Sequence, residues 1–461
     1  MDIRDFENIY FLGIGGIGMS AIARWFNQNE FKVGGYDKTE TTLTKTLVKE
    51  GMDIHYDNQV GRIPTIFYNK SKTLIIITPA IPVDNSERLY FEKEGYVILK
   101  RSQVLGLLTK SMFTIAVAGT HGKTTTSSMI AHILHQAKLP INAFIGGIMT
   151  NYGTNLILAP SGPRNICVVE ADEFDRSFLT LFPDIAVITS TDADHLDIYG
   201  THVALLQSFT AFANQVKDEG KLFLKNGISL KINKVIHIQT YGYQNGSVHV
   251  DNFRLENANF IFDYVGDGIS IKDLKLQIPG YHNSENATAA ISVALALGVD
   301  PKVIKKALAS FKGVKRRFEY IIKKDKRVYI DDYAHHPTEI EAFLTSVKGL
   351  YPKHKLVCIF QPHLYSRTKD FASEFANSLS LADHVILMDI YPAREKPMEG
   401  VTSDLIYKNL TCKTKTTATK GNLMQIVETL NPELIVTVGA GDIDTFVEPI
   451  KQYLNKKDKN K

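Results

Sequence analysis

The sequence predicts an α/β protein of three consecutive domains, and three observations carry that expectation. The chain has 461 residues, about three times the roughly 150 residues of an average domain. Apolar strand-like runs alternate with helix-like stretches toward both ends, as in parallel sheets covered by helices. Between them, from Gly220 to Pro279, short alternating runs such as SVHVDNF and NFIFDYV are broken by Gly, Asn and Asp. They read as antiparallel strands added at one side of a core. The expected divisions are 1–110, 111–313 and 314–461.

The first division opens with the apolar strand NIYFL, a glycine turn and the helix-like MSAIARWFNQ. Further strands follow at Phe31 to Tyr36 and at Thr73 to Ile77. The turn, Gly13-Ile14-Gly15-Gly16-Ile17-Gly18, matches G-x-G-x-x-G between a strand and a helix, and Asp37 stands 19 residues after Gly18. That pattern predicts a pyrophosphate at the helix N-terminus. Diphosphate attached to adenosine, uridine or nicotinamide all fit it.

A new strand, FTIAVA, begins the second division and runs into Gly119-Thr120-His121-Gly122-Lys123-Thr124-Thr125-Thr126, followed by the helix-like SSMIAHILHQ. Consecutive backbone N–H groups at a helix N-terminus form a partly positive hollow for phosphate oxygens. Lys123 reaches the terminal phosphates, and the Thr124 hydroxyl suits Mg²⁺, a cation that takes hard oxygen ligands. The loop is a shortened variant, because Val117 stands where the full motif has its first glycine. The next strand delivers Glu170, read as a second Mg²⁺ ligand, with Asp172 and Glu173 read either as further ligands or as caps of the turn. A third strand ends in Thr191-Asp192-Ala193-Asp194-His195-Leu196-Asp197, where His195 is read as holding a second metal ion or substrate. The helix-like NATAAISVALALG closes the division. Lys123→Ala is expected to abolish turnover with little effect on folding.

The third division supplies Asp331-Asp332-Tyr333-Ala334-His335-His336-Pro337 after one strand and Gln361-Pro362-His363-Leu364-Tyr365-Ser366-Arg367 after another. Arg317 precedes both in a short basic run. Together these place cations and acceptors on one sheet edge, an arrangement that suits an anion beside a nucleotide.

Composition narrows the classes further. Hydrophobic residues make up 44% and charged residues 22% of the chain, which excludes a disordered chain, a collagen and a small disulfide scaffold. The 53 Lys+Arg against 49 Asp+Glu leave +4, too small an excess for general nucleic-acid binding. No apolar run approaches the roughly 20 residues of a membrane span, and the charged N-terminus does not read as a signal peptide. Cys167 and Cys358 sit in apolar strand-like runs and are read as buried structural thiols, and three scattered cysteines, Cys412 included, fit a reducing, cytoplasmic setting.

GIGGIGMS, GTHGKTTT, EADEFDRSFL, DADHLDIYG, PGYHNSENATAA, DDYAHHPTE, FQPHLYSRT and GAGD follow one another in an order and spacing that resembles the Mur ligase family over nearly the whole chain. The resemblance implies an N-terminal Rossmann-like domain for a UDP-sugar, a central P-loop ATPase sheet and a C-terminal Rossmann-like domain. It implies ATP and two Mg²⁺ ions, with UDP-N-acetylmuramate and L-alanine as small-molecule substrates and neither nucleic acid nor membrane insertion. The sugar's lactyl carboxylate attacks the γ-phosphate, and the alanine amine then displaces phosphate from the acyl phosphate.

Carried over by position, Gly15, Gly16, Ile17, Gly18, Met19 and Ser20 take the uridine diphosphate, and Asp37, Thr78 and Ala80 line the uridine pocket. Gly119 to Thr125 hold the ATP phosphates, His282 and Asn286 the adenine, Arg317 a phosphate and Asp332 the ribose. Read from the residues alone, His282 and Asn286 serve equally well as helix caps. Thr124, Glu170 and His195 hold metal, and Lys123, His195, His335 and Arg367 act on the reacting groups, with Tyr333 and His335 at the amino-acid end. Two departures matter. Many relatives carry Arg where this chain has Leu364, so Arg367 or Arg394 substitutes for that contact. No lysine lies between Lys138 and Lys217, so the carbamylated lysine of sister ligases does not come from that stretch.

Three rival readings remain. An NAD-dependent oxidoreductase accounts for the glycine turn and Asp37 but leaves GTHGKTTT and the carboxylates without a purpose. A regulatory NTPase predicts ADP release independent of any acid substrate. Within the family, a ligase that recycles a murein tripeptide shares the first substrate.

Overall fold

The computed structural model describes residues 3–459 apart from 161, 163, 164, 175, 193–195, 257, 258 and 394. It is an α/β protein built on three sheets. The first has five strands in the order Asp53–His55, Lys32–Tyr36, Asn8–Leu12, Thr73–Ile77 and Val97–Lys100, all parallel. Its central strand is buried along its whole length because helices cover both faces. Ile9 and Phe11 join one apolar cluster, while Tyr10 and Leu12 join another, as the period of two along a strand requires.

The second sheet has ten strands. Phe113–Ala118 lies between Ile185–Ile188 and Ile166–Glu170, parallel to both. Outside these come Ile141–Met149 and Thr154–Ile157 on one side, and on the other Lys221–Lys225, His237–Tyr243, Val248–Glu256, Asn259–Gly266 and Ile269–Leu276. The expected antiparallel strands are present at the far edge, but the expectation needs correction over 221–256. Lys221–Lys225, His237–Tyr243 and Val248–Glu256 continue the sheet in parallel, and Asn259–Gly266 with Ile269–Leu276 is an antiparallel pair. Alternation of apolar and polar residues reports that one face is exposed; it does not report strand direction.

The third sheet has six strands in the order Glu319–Lys324, Arg327–Asp332, Leu434–Val438, Leu356–Phe360, His384–Met388 and Thr414–Ala418. All neighbours are parallel except the Glu319–Lys324 edge. Val328 and Ile330 pack on one face and Tyr329 on the other; Cys358 and Phe360 oppose Val357 and Ile359 in the same way.

The chain forms two compact units. One comprises Met1–Leu255, Phe260–Gln277 and Tyr281–Phe311; the other comprises Glu256–Asn259, Ile278–Gly280 and Lys312–Lys461. The first two sheets fall in the same unit, where one apolar cluster runs from Ile9 and Phe26 to Phe178 and Phe209. Cys167 and Cys358 are fully buried, and burial pushes both thiols up. Among the described residues no helix is long and apolar enough to cross a membrane.

Candidate active site

The loop 119–122 leaves the carboxyl end of Phe113–Ala118 and enters the helix Lys123–Gln136. Gly119 has φ +136° and Gly122, the residue before the helix, has φ +83°, both in the region open to glycine. The neighbouring strand ends hold the loop. Thr120 N donates to the Ser190 carbonyl (3.3 Å), His121 N to Ser190 Oγ (2.8 Å), and Thr189 Oγ1 to the carbonyls of Ala118 (3.1 Å) and His121 (2.5 Å). Ile188 is paired with Ala118, so Thr189 and Ser190 emerge beside the turn. The His121 side chain is exposed.

On the other side, Glu170 is paired with Val117 and therefore leaves its strand next to the first turn of the helix. Thr124 Oγ1 donates to Glu170 Oε1 (2.9 Å), and Gly146 N donates to Glu170 Oε2 (2.9 Å). A hydroxyl and a carboxylate in contact fit Mg²⁺, which usually takes one or two protein oxygens together with water and substrate phosphates. Among the described residues no group of three or more His, Cys, Asp or Glu could hold a metal. His195 and Arg394 lie outside the described residues.

Lys123 Nζ donates to the Gly119 carbonyl (2.7 Å) and to Glu173 Oε1 (2.9 Å), and stands 2.8 Å from Glu173 Oε2. Glu173 is fully buried; burial pushes its carboxyl up while Lys123 pulls it back. The sequence reading left Glu173 as a ligand or a turn cap; its carboxylate is engaged by Lys123. Asp172 is the cap, its Oδ1 accepting from Phe174 N (3.2 Å). The contact that distinguishes the two joins residues 50 apart in the chain. The expectation that Lys123→Ala leaves folding intact is also corrected, because this lysine is only 13% exposed and balances a buried carboxylate. Thr125 is half-buried in the helix's first turn.

In the helix Tyr281–Ala296, Asn286 is buried against the same loop: a Cβ added to Gly122 would lie 2.9 Å from Asn286 Oδ1. His282 is exposed in that helix's first turn.

The glycine turn of the first sheet precedes the helix Ile17–Gln28. Asp37, at the end of the neighbouring strand, accepts from Gly15 N through Oδ2 (2.7 Å) and from Thr39 N through Oδ1 (3.1 Å). Thr78 packs on the turn, since a Cβ on Gly13 would lie 2.5 Å from Thr78 Cγ2. Gly16, Ile17 and Ala80 are exposed and Gly18 is half-buried. Met19 and Ser20 are buried, with Ser20 N on the Gly16 carbonyl (2.8 Å) and Ser20 Oγ on the Ile17 carbonyl (2.9 Å). Their polar groups serve the helix.

In the second unit, Arg316 and Arg317 part company. Arg316 is 3.3 Å from buried Asp331 and donates to the Gly439 carbonyl (2.5 Å). Arg317 is exposed, with its guanidinium 5.8 Å from the Tyr333 ring. Asp332 accepts from Phe318 N and Ala334 N (2.7 Å each), and burial pushes its carboxyl up to about 6 against the pull of those two donors. The His335 ring is 5.3 Å from that of Tyr333 and 6.2 Å from that of His363. Burial lowers the His335 pKa, Glu339 opposes that shift and Arg367 adds to it. Arg367 Nη1 is buried without a hydrogen-bond acceptor. Tyr333, His335 and Arg367 thus gather at the carboxyl ends of two strands of this sheet.

Comparison with known proteins gives three family matches along the chain. Residues 8–112 match the model described as Mur ligase family, catalytic domain; 117–294 match the Mur ligase middle domain; 316–441 match the Mur ligase, glutamate ligase domain. The UDP-N-acetylmuramate–L-alanine ligase of Flavobacterium johnsoniae is 49% identical over 461 residues, covering 99% of this chain and 100% of that one. That of Cytophaga hutchinsonii is 48% identical over 454 residues, covering 98% and 97%. The crystal structure of the UDP-N-acetylmuramate–alanine ligase of Thermotoga maritima superposes with a TM-score of 0.81 at 28% identity, covering 98% of this chain and 100% of that one. A murein peptide ligase of Psychrobacter arcticus has the same fold, with a TM-score of 0.66 at 23% identity.

Proposed function

The chain belongs to the Mur ligase family, and from that premise we propose that it joins L-alanine to the lactyl carboxylate of UDP-N-acetylmuramate, with conversion of ATP to ADP and phosphate, in peptidoglycan precursor synthesis. The observation that carries the reading is the loop 119–122, with Lys123 and the Thr124–Glu170 pair at its helix end. Phosphoryl transfer needs its groups positioned and its charge neutralised more than it needs covalent help from the protein. The lactyl carboxylate attacks the γ-phosphorus, ADP leaves, and the alanine amine attacks the carbonyl of the resulting acyl phosphate and expels phosphate to give the amide.

Lys123 is the cation for the transferred phosphoryl group, and the backbone of Gly119 to Thr125 cradles the rest of the triphosphate. Thr124 and Glu170 would hold Mg²⁺, which when bound supplies charge neutralisation at the phosphates. A second ion at His195 belongs to this reading as a sequence expectation. Asn286, against Gly122, and His282 face the adenine; Arg317 and Asp332 serve the phosphate and ribose. Tyr333 and Arg367 frame the amino-acid end, and His335, held toward its neutral form by burial, accepts the amine proton. The glycine turn takes the uridine diphosphate at Gly15 to Gly18, with Asp37, Thr78 and Ala80 beside it. Both substrates place the work in the cytoplasm.

Phosphate release measured with ATP, UDP-N-acetylmuramate and each amino acid in turn tests this. L-Alanine should support turnover well above the others, and none should occur without the sugar acid. Turnover with a murein tripeptide but not with alanine would move the assignment to the recycling ligases, and ADP release without the sugar would point to a regulatory NTPase.

A further inference from the structure

In the second unit the chain leaves the strand Leu356–Phe360 through residues 361–364 and enters the short helix Tyr365–Asp370, which carries Arg367. Leu364, the residue before that helix, has φ +72° and ψ +139°. Backbone of that kind suits glycine. With a leucine side chain it is strained, and it persists only where the surroundings fix it.

Three groups fix it here. Thr368, fully buried, donates to the Leu364 carbonyl through N (3.2 Å) and Oγ1 (2.8 Å). The segment after the strand His384–Met388 grips the turn through Tyr391. Leu364 N donates to the Tyr391 carbonyl (3.0 Å), Tyr391 N donates to the Pro362 carbonyl (2.8 Å), and the Tyr391 ring stacks on that of His363 at 5.8 Å. Glu395, further along the same segment, closes the clamp. Its Oε1 accepts from Ser366 Oγ (2.5 Å) and its Oε2 from Ser366 N (3.1 Å). A carboxylate on the N–H groups that open a helix is favourable. Burial works against ionisation of Glu395, but the contacts from Ser366 and from Tyr365 N, with His363 nearby, outweigh it and hold the carboxyl below its ordinary value. Arg367 follows Ser366 directly, and its Nη1 is buried with no acceptor to anchor it. The turn, and not a bond at that nitrogen, sets where the guanidinium lies.

We propose that Glu395 is a positioning residue: its carboxylate clamps Ser366 and keeps the strained Leu364 turn in the shape that presents Arg367 to the amino-acid end of the site. This rests on the reading that places Arg367 there, and adds to it a side chain 29 residues beyond Ser366. Without the carboxylate, Ser366 loses its acceptor, Leu364 relaxes toward negative φ, and Arg367 moves with the helix. A displacement of about 1 Å in a positioning group is enough to impair a reaction that depends on orientation.

The test is steady-state turnover of the full chain with ATP, UDP-N-acetylmuramate and L-alanine. It compares the unaltered protein with Glu395→Ala, with Glu395→Gln, and with Glu395→Ala combined with Leu364→Gly. Glu395→Ala should raise KM for L-alanine about 10-fold or more, the scale of one lost charge-assisted contact, and leave KM for ATP and for the sugar within about twofold. Glu395→Gln keeps an acceptor for Ser366 N and should raise KM for L-alanine less. Glycine takes the Leu364 conformation without strain, so Leu364→Gly should return KM for L-alanine most of the way in the Glu395→Ala chain. A protein that is merely destabilised has a smaller active fraction, which lowers apparent kcat and leaves every KM unmoved; that outcome overturns the inference. An unchanged KM for L-alanine in Glu395→Ala overturns it too. So does a raised KM that Leu364→Gly fails to lower, because Glu395 would then act on the amino acid and not through the turn. In each of these cases the unaltered protein still uses L-alanine and the ligase reading stands. An unaltered protein with no turnover on L-alanine overturns that reading, and the inference falls with it.

Discussion

Lys123 Nζ lies 2.8 Å from Oε2 of Glu173, a carboxylate with no exposed side-chain surface. The lysine proposed to serve the transferred phosphoryl group is therefore also one half of a nearly buried ion pair. Removing one partner of such a pair leaves the other uncompensated, at a cost of about 3 kcal/mol or more. Lys123→Ala should lower turnover by about 100-fold or more, the size of effect seen when a transition-state charge partner is lost. It should also destabilise the fold at neutral pH. The sign with pH follows from Glu173, whose folded pKa is already raised by burial and rises further without the lysine. Stability is then full below the unfolded carboxyl value and is lost as pH rises through the folded one. Urea denaturation at pH 5 and pH 8 should show a steeper loss for Lys123→Ala than for the unaltered protein. Glu173→Gln in the same chain should abolish the excess. Equal stability of Lys123→Ala and the unaltered protein at pH 8 would refute the ion pair.

Gly119 combines a φ of +136° with a crowded surrounding: a Cβ there would run into Thr189 Oγ1 and lie 2.7 Å from Ser190 N. Gly51 has φ +94° with nothing within 4 Å of its added Cβ. The two glycines separate backbone strain from collision. Gly51→Ala should cost about 1 kcal/mol of stability and leave ATP kinetics unchanged. Gly119→Ala must also displace Thr189 and Ser190, the residues that hold the loop, so KM for ATP should rise about 10-fold or more. Comparable ATP kinetics in the two variants would mean that the loop's shape is not what binds the triphosphate.

What the sequence revealed and what it hid divide along chain distance. GTHGKTTT is legible because strand, turn and helix are consecutive, and the mechanism needs nothing else to place Lys123 at the helix start. The partners that hold it come from elsewhere: Thr189 and Ser190 across one strand pairing, Glu173 across another. Nothing local distinguishes Glu173 from Asp172; the tertiary contact to Lys123 does. Arg316 and Arg317 are likewise equivalent in a basic run. The backbone separates them, with positive φ at Arg316 (59°) and Phe318 (49°), sending one guanidinium to Asp331 and leaving the other exposed. Strand direction in 221–256 was hidden for another reason, since alternation encodes exposure and not polarity.

Another buried carboxylate, Glu87, sits on the helix Ser86–Lys93 beside the first sheet, and its proton can be located by counting donors. His55 Nδ1 is 3.1 Å from the Asp57 carbonyl, an acceptor, so in the neutral ring that nitrogen carries the hydrogen and Nε2 accepts. Tyr10 Oη lies 2.7 Å from His55 Nε2 and 2.6 Å from Glu87 Oε2. If the tyrosine hydrogen serves the histidine, the short contact to Glu87 needs a protonated carboxyl. Burial outweighs the contact with Tyr10 and pushes Glu87 up to about 7, and burial lowers His55 despite Asp53 and Asp57 nearby. Against an unfolded value of about 4.5, stability is full at low pH and falls between about pH 4.5 and 7, by about 3 kcal/mol in all. Glu87→Gln mimics the protonated acid and does not titrate, so it should lack this loss. Urea midpoints for the two proteins should agree near pH 4.5 and diverge as pH rises, with the variant the more stable at pH 8. Parallel pH profiles would place the proton elsewhere and remove Glu87 as its carrier.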